Sequence, residues 1–238
     1  MGSGGNEPIS TIYHTPVTID KTSKILDQMK KSICKIKTKN GRGTGFFCTA
    51  ELKSKEAQLL ITSHHIVDKK ILDSDGSLDI IIDNDEEKTI EINEKRKVYI
   101  NKEYDLTIIE LREKDKIKDF LELDNIFDND YNLSNQSIYL LQYSKLGKDQ
   151  KAAVSYGMLK EIEGYDMVNY CNALTGSIGG PILNLQNNKV IGMHREASSE
   201  GINKATFLKF ALEEFFNNEN IEKIEISEEQ SEKKVKKR

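Results

Sequence analysis

Leu174-Thr175-Gly176-Ser177-Ile178-Gly179-Gly180-Pro181-Ile182-Leu183-Asn184 holds three glycines and a proline between a short polar run and an apolar pair. Glycines clustered before a proline describe a sharp turn with exposed backbone amides. The apolar residues after it read as a strand. A turn of this kind can aim N–H groups at a developing oxyanion.

Outward from the turn, most of the chain has a period of two. Ile33, Cys34 and Ile36 alternate with lysines, and Gln58–Thr62, Leu78–Ile82, Thr89–Ile92, Lys97–Ile100 and Leu106–Leu111 continue as short apolar strands. Beyond a charged stretch, strands are expected at Ser137–Tyr143, Ala152–Glu161, Met167–Cys171, Pro181–Leu185 and Val190–His194. Short strands at such spacing, separated by polar turns, indicate a barrel or a sandwich. Two helices frame them. Asp20–Met29, capped by Asp20 or Thr22, carries the stripe Ile25, Leu26 and Met29. A final helix is expected from Ala205 or Thr206 to Phe216, and a helical turn at Ile117–Leu121. Gly41-Arg42-Gly43-Thr44-Gly45 lacks the Lys-Ser/Thr of a phosphate loop and runs into a strand, so it reads as a tight turn or a close backbone approach.

The expected organisation is an arm over residues 1–18, a helix and first β unit over 19–113, a linker over 114–130, a second β unit with its helix over 131–216, and a charged tail over 217–238. The opening Met1-Gly2-Ser3-Gly4-Gly5 reads as an added leader rather than a signal peptide. The last twenty residues hold six acids and six bases, the composition of a solvated segment or of a site for a partner. With 37% hydrophobic and 31% charged residues the chain can bury a core beneath a heavily charged surface. A net charge of −4 argues against general nucleic-acid binding, and no apolar run is long enough to span a membrane. Cys34, Cys48 and Cys171 are odd in number and widely spaced, which suits free thiols in a reducing, cytoplasm-like compartment. Neither cysteines nor histidines have ligand spacing, so neither metal nor cofactor is expected.

Acyl transfer by a serine needs a base, a carboxylate that orients it, and amide donors for the oxyanion. Ser63-His64-His65 follows the apolar strand Leu59–Thr62, Asp105 precedes the apolar strand Leu106–Leu111, and the glycine turn comes last. This order resembles the chymotrypsin-fold, trypsin-like serine proteases over roughly residues 32–216. Thr62-Ser63-His64-His65 lies on the family's Thr-Ala-Ala-His pattern, which makes His65 the general base, with His64 as its competitor. Asp105-Leu106 matches the family's Asp before an apolar strand. Tyr170 to Pro181 resembles the glycine loop of compact members such as glutamyl endopeptidases. The resemblance implies an all-β fold of two packed six-stranded antiparallel β-barrels with an N-terminal and a C-terminal helix, and an oxyanion hole made by the amides of Gly176 and Ile178.

The same alignment puts Ile178 where the family carries its nucleophilic serine. A β-branched hydrocarbon cannot attack a carbonyl. The chain is therefore expected to be inactive as written, either as a replaced form of an active endopeptidase or as a natural pseudoprotease that binds peptides or proteins. Ser177, one residue away, is the remaining candidate for a shifted nucleophile. The Ile-Val-Gly-Gly sequence of the proteolytically activated branch is absent, so the resemblance implies a loop shaped by other contacts. Ile66 stands where a half-cystine often does.

Val190-Ile191-Gly192-Met193-His194 resembles the strand lining the family's primary specificity pocket. The resemblance implies that His194 meets an acidic or amide P1 side chain, with Ala173 in place of the glutamyl enzymes' threonine. Substrate is expected to add as an extended strand beside residues 192–196, among them Met193, Arg195 and Glu196. The expected partner is a peptide or protein substrate.

Overall fold

The computed structural model describes residues 16–52, 54–83, 86–93, 95–124, 135–146, 149–198 and 201–217. The tail expected after residue 217, most of the arm and residues 125–130 of the expected linker lie outside them.

Helix α1, Ile19–Ser32, begins at Thr18, whose hydroxyl accepts the Lys21 N–H, so the cap precedes both residues expected to supply it. Asp20 in the first turn and Lys30 and Lys31 in the last complement the helix dipole. Ile25 and Met29 are buried, and on the flank Lys21 Nζ donates to Leu185 O at 2.7 Å and Gln28 Nε2 to Asn188 O at 2.9 Å. The N-terminal helix is thereby fastened to the second β unit as well as the first.

The first unit is an eight-stranded sheet. It comprises β1 (Ile33–Thr38), β2 (Gly41–Leu52), β3 (Lys55–Thr62), β4 (Ser77–Ile82), β5 (Glu86–Glu91), β6 (Val98–Asn101), β7 (Leu106–Glu110) and β8 (Leu121–Glu122). Its order is β5-β4-β1-β2-β3-β7-β6, all antiparallel, with β8 pairing β2 in parallel. The strand path ends at β5 and β6 without a closing pair among the described residues, so this half is a curled sheet rather than a hydrogen-bonded cylinder. In β4, Leu78, Ile80 and Ile82 are buried while Asp79 faces solvent, the alternation of a half-buried strand.

The second unit is a closed six-stranded barrel in the order β10-β11-β14-β13-β12-β9. It is built from β9 (Ser137–Leu146), β10 (Asp149–Glu163), β11 (Asp166–Asn169), β12 (Pro181–Asn184), β13 (Val190–Glu196) and β14 (Asn203–Phe207). The chymotrypsin-like fold implied by the resemblance is thus present.

Three local expectations are corrected. The final helix, α3, runs Leu208–Asn217, and Ala205 and Thr206 belong to β14, paired on both sides to Met167–Asp166 and His194–Met193. A short helix not anticipated, α2 (Lys69–Asp75), follows the His64-His65 turn and is capped by Asp68, which accepts the Ile71 N–H. The helical turn expected at 117–121 lies instead at Glu113–Asp115, and Leu121 is in a strand. Asp115 is drawn inward by Arg96, which holds both its oxygens at 2.7 and 2.9 Å, the fork geometry that makes a buried pair tolerable.

One apolar cluster runs through both units. It joins Ile25 and Met29 of α1, Phe46 and Ile61 of the first sheet, Tyr139 and Leu183 of the barrel, and Leu212 and Phe215 of α3. Separate clusters fill the first sheet and the barrel. The glycine turn falls where the two units meet.

Candidate active site

Strand β3 ends at Thr62, and the turn that follows folds over the start of β7. Asp105 occupies that start with φ +49°, a left-handed conformation that aspartate adopts more readily than most side chains. Its carbonyl accepts the His64 N–H at 3.2 Å. Its carboxylate is buried and receives three side-chain and backbone donors. His65 Nδ1 lies 2.7 Å from Oδ1, the His65 amide donates to the same oxygen at 3.0 Å, and the Ser63 hydroxyl lies 2.9 Å from both oxygens. The carboxylate accepts from Nδ1–H, which leaves Nε2 as the basic nitrogen. The His65 ring is three-quarters exposed while Asp105 is covered, so a buried acceptor orients an accessible base. His64 meets Asp105 through its backbone only, and its ring stands edge-on to that of His65 at 6.3 Å. Of the two histidines, the structure brings His65 to the carboxylate.

The glycine turn is defined by its carbonyls. Leu174 O accepts from Ser177 N, Thr175 O from Lys145 N, Gly176 O from the Thr44 hydroxyl, Ser177 O from Gly180 N, and Ile178 O from Thr44 N, all at 2.8 to 3.0 Å. None of these peptides is cis, and in a trans peptide the N–H points opposite to the C=O. Fixing Thr175 O and Ser177 O therefore fixes the N–H groups of Gly176 and Ile178. Neither amide has a partner among the described residues. Two oriented, unspent amides on alternate residues are the donor pair an oxyanion requires.

Ile178 is half-buried and packs against the first sheet's apolar cluster, which includes Ile66 and Val67 from the turn after His65. Ser177 is buried and its Oγ has no partner among the described residues. Its hydroxyl is turned away from solvent, and with it from any external carbonyl. Gly43 sits in strand β2 at a close approach: a Cβ there would lie 2.6 Å from Ile66 Cγ1 and 3.0 Å from Ile178 O. The Gly41–Gly45 run is therefore a place where the strand approaches the Ile66 side chain and the Ile178 backbone closely, the ordinary meaning of glycine inside a strand.

The expected substrate-side residues separate. His194 is fully buried, its N–H donates to Gly180 O at 2.8 Å and its carbonyl accepts the Gly179 N–H at 2.9 Å. Both ring nitrogens lack partners among the described residues, and burial pushes its pKa down to about 4, so the ring is neutral. Met193 belongs to the core cluster shared by the two units, as does Val190 of the same strand, in a stretch of β13 that is buried on both faces. Arg195 is turned back onto the barrel, paired with Asp166 and stacked 5.8 Å over the Tyr165 ring. Glu196 is exposed opposite Lys204, and Ala173 is half-buried at the barrel wall. Beyond His194, which bonds Gly179 and Gly180, the β12 side of β13 carries no further strand partner among the described residues, which leaves residues 195 and 196 an open edge there.

Two contributors were not singled out from sequence. Ser63 stands where the resemblance places a small apolar residue, and Thr44 hides in the glycine run. The signal for Thr44 is a hydroxyl between two glycines at the start of a strand, but its partners lie about a hundred residues away in sequence.

A family model described as a trypsin-like peptidase domain matches residues 43–193. No curated protein sequence matches. Among solved structures the chain is similar to the Rv3671c protease in its inactive form, at 15% identity over 84% of this chain and 98% of that one, with a TM-score of 0.58. It is similar to the serine endoprotease from Yersinia pestis at 11% identity over 86% of this chain and 69% of that one, with a TM-score of 0.61. An inactive-form serine-to-alanine mutant of Rv3671c from M. tuberculosis H37Rv gives 14% identity, 87% and 98% coverage and a TM-score of 0.59. Identities this low speak for the fold, whereas the family match spans more than half of the chain and includes His65, Asp105 and the glycine turn: the chain belongs to the trypsin-like peptidase family.

Proposed function

We propose that this chain is a trypsin-like serine endopeptidase domain rendered silent at a single atom position. The observation that carries the reading is the meeting of an oriented His65–Asp105 pair with a turn whose two oxyanion-type amides are unspent, around a side chain, Ile178, that has no nucleophile. With serine at 178, His65 Nε2 would take the hydroxyl proton as the oxygen attacks the scissile carbonyl. Asp105 would hold the tautomer and stabilise the imidazolium, and the amides of Gly176 and Ile178's position would receive the oxyanion. His65 would then return the proton to the leaving amine, and water would repeat the cycle on the acyl-enzyme.

Substrate on this reading is a peptide or protein in extended form, added along the open edge at Arg195 and Glu196. The two unpartnered nitrogens of neutral His194 support a P1 residue able to hydrogen-bond with imidazole, namely glutamate or glutamine. The inverted side chain of Arg195 keeps that edge from being blocked.

The test is Ile178→Ser. Peptide hydrolysis absent from the parent should appear in the variant, and His65→Ala in that background should lower it by about 10⁴-fold or more. A second reading rests on the packing of Ile178 against the first sheet's apolar cluster: a site adapted to hold peptides without cutting them. It is favoured if a folded Ile178→Ser protein remains inert against a broad peptide library while the parent binds extended peptides.

A further inference from the structure

The glycine turn of the second unit is shaped by one residue of the first. Thr44 is fully buried in β2, and each of its polar groups is spent across the boundary or at the base of the His65 turn. Its N–H donates to Ile178 O at 2.8 Å, and its hydroxyl donates to Gly176 O at 2.9 Å while accepting the Tyr143 N–H of β9 at 3.0 Å. Its carbonyl accepts the Thr62 hydroxyl at 2.9 Å, one residue before Ser63. A single residue thus ties together the carbonyls on both sides of the Ser177–Ile178 peptide, the first strand of the barrel, and the strand that leads to the base.

We propose that Thr44 is a positioning residue that holds the two peptide planes flanking the Ile178 amide, and through them the shape of the glycine turn. Two peptide planes of the turn are pinned at both ends, one of the two pins in each case being Thr44. The Gly176–Ser177 plane is held by the Thr44 hydroxyl at its carbonyl and by Leu174 O at its N–H. The Ile178–Gly179 plane is held by Thr44 N at its carbonyl and by His194 O at its N–H. The plane between them carries the Ile178 N–H and is held at its own carbonyl by the Gly180 N–H, so Thr44 acts on it by fixing the residues at both its ends. Turning the Gly176–Ser177 plane would leave Gly176 O without its buried donor and the Thr44 hydroxyl hydrogen without its acceptor, and an unsatisfied buried group of either kind costs more than the bond it replaces contributes. Thr44 therefore makes the competent orientation of the turn the satisfied one, and couples it to the Thr62-Ser63-His65 turn of the other unit.

Amide hydrogen exchange on the chain as it stands tests this without any need for catalysis. The N–H groups of Ser177 and Gly179 lie in the two pinned planes. In Thr44→Val, which keeps shape but loses the hydroxyl, their exchange should rise by about tenfold or more relative to the amides of β3 and β7, and Thr44→Ser should stay within about threefold of the parent. Should Thr44→Val fail to fold, Thr44→Cys, whose thiol is a weak donor, takes its place in the same comparison. Exchange at Ser177 and Gly179 that is unchanged, or that rises only in step with β3 and β7, overturns the proposal. A catalytic arm rests on the endopeptidase reading above. In the Ile178→Ser background, Thr44→Val should lower kcat by about ten- to hundredfold with KM within about threefold, and Thr44→Ser should restore it. An active Ile178→Ser protein whose kcat ignores Thr44→Val also overturns the proposal. An inert Ile178→Ser protein counts against the endopeptidase reading, and the exchange result alone then decides the role of Thr44.

Discussion

Gly179 shows how little room the turn leaves. Its φ is +90°, and a Cβ at this position would lie 2.0 Å from Thr44 O and 2.9 Å from Thr62 Oγ1. The first of these is backbone of a buried strand and cannot swing aside. Gly179→Ala should therefore destabilise the protein by about 3 kcal/mol or more, through strain and the loss of the Thr44 contacts together. Gly164, with φ +59° and open space around it, is the control: Ala there should cost about 1–2 kcal/mol, the left-handed penalty alone. Urea unfolding midpoints of the two variants measure the difference, and equal losses would mean that the turn yields. At the same scale Ser63 takes a share of the carboxylate's acceptor capacity that His65 alone would not fill. On the endopeptidase reading proposed above, activity turns on position 178, which Ile178→Ser measures.

Helix α3 leaves the barrel and closes on the sheet. Its buried face is Leu208, Ala211, Leu212, Phe215 and Phe216, and Lys97 Nζ lies 4.3 Å over the Phe215 ring. The polar latch is Glu214, whose carboxylate accepts the Tyr99 hydroxyl of β6 at 2.7 Å and the Tyr104 hydroxyl at 2.8 Å. Tyr104 directly precedes Asp105, so the helix also steadies the turn that presents the carboxylate. Burial, and after it the adjoining carboxylate, raises both phenols above their ordinary pKa, so the latch stays donor-to-acceptor through neutral pH. Glu214→Ala strands two hydroxyls and should cost about 2–3 kcal/mol, while Glu214→Gln, which keeps one carbonyl acceptor, should cost about half as much. Denaturant unfolding read by both Tyr fluorescence and circular dichroism checks this. An equal loss in the two variants would mean that the carboxylate's charge, not its acceptor geometry, holds the helix.

For the molecule as a whole, the buried His194 links stability to pH. Its folded pKa of about 4 lies below the ordinary value of 6.5, so between those values the unfolded chain binds the extra proton. This contribution is complete above about pH 6.5 and is lost as pH falls toward 4, a change on the order of 3 kcal/mol. Urea midpoints at neutral and mildly acidic pH should separate accordingly, and His194→Leu should narrow the gap by most of that amount. A gap unchanged by the substitution would assign the acid sensitivity to other groups. Because the His194 backbone bonds the glycine turn from both sides, protonating it should loosen the turn before the barrel opens.

Sequence by itself determined the strand-rich fold, the order of His65, Asp105 and the glycine turn, and the aprotic side chain of Ile178 within that turn. Each of these is written in near neighbours: the two-residue alternation of Leu78, Ile80 and Ile82, the histidine at a strand end, three glycines and a proline. The tertiary structure alone decided the rest. Residues 205–207 open an apolar run that reads as helix, and they became part of a strand because β11 and β13 offered both their edges. Met193 went to the core and Arg195 turned onto Tyr165 because the register of β13 fixes which side chains face in. Thr44 acquired its role only through Gly176, 132 residues away. Local chemistry is legible along a chain because its range is a few residues; a hydrogen bond that closes a sheet and a barrel on one another has no local trace, since its partners meet only after both have folded.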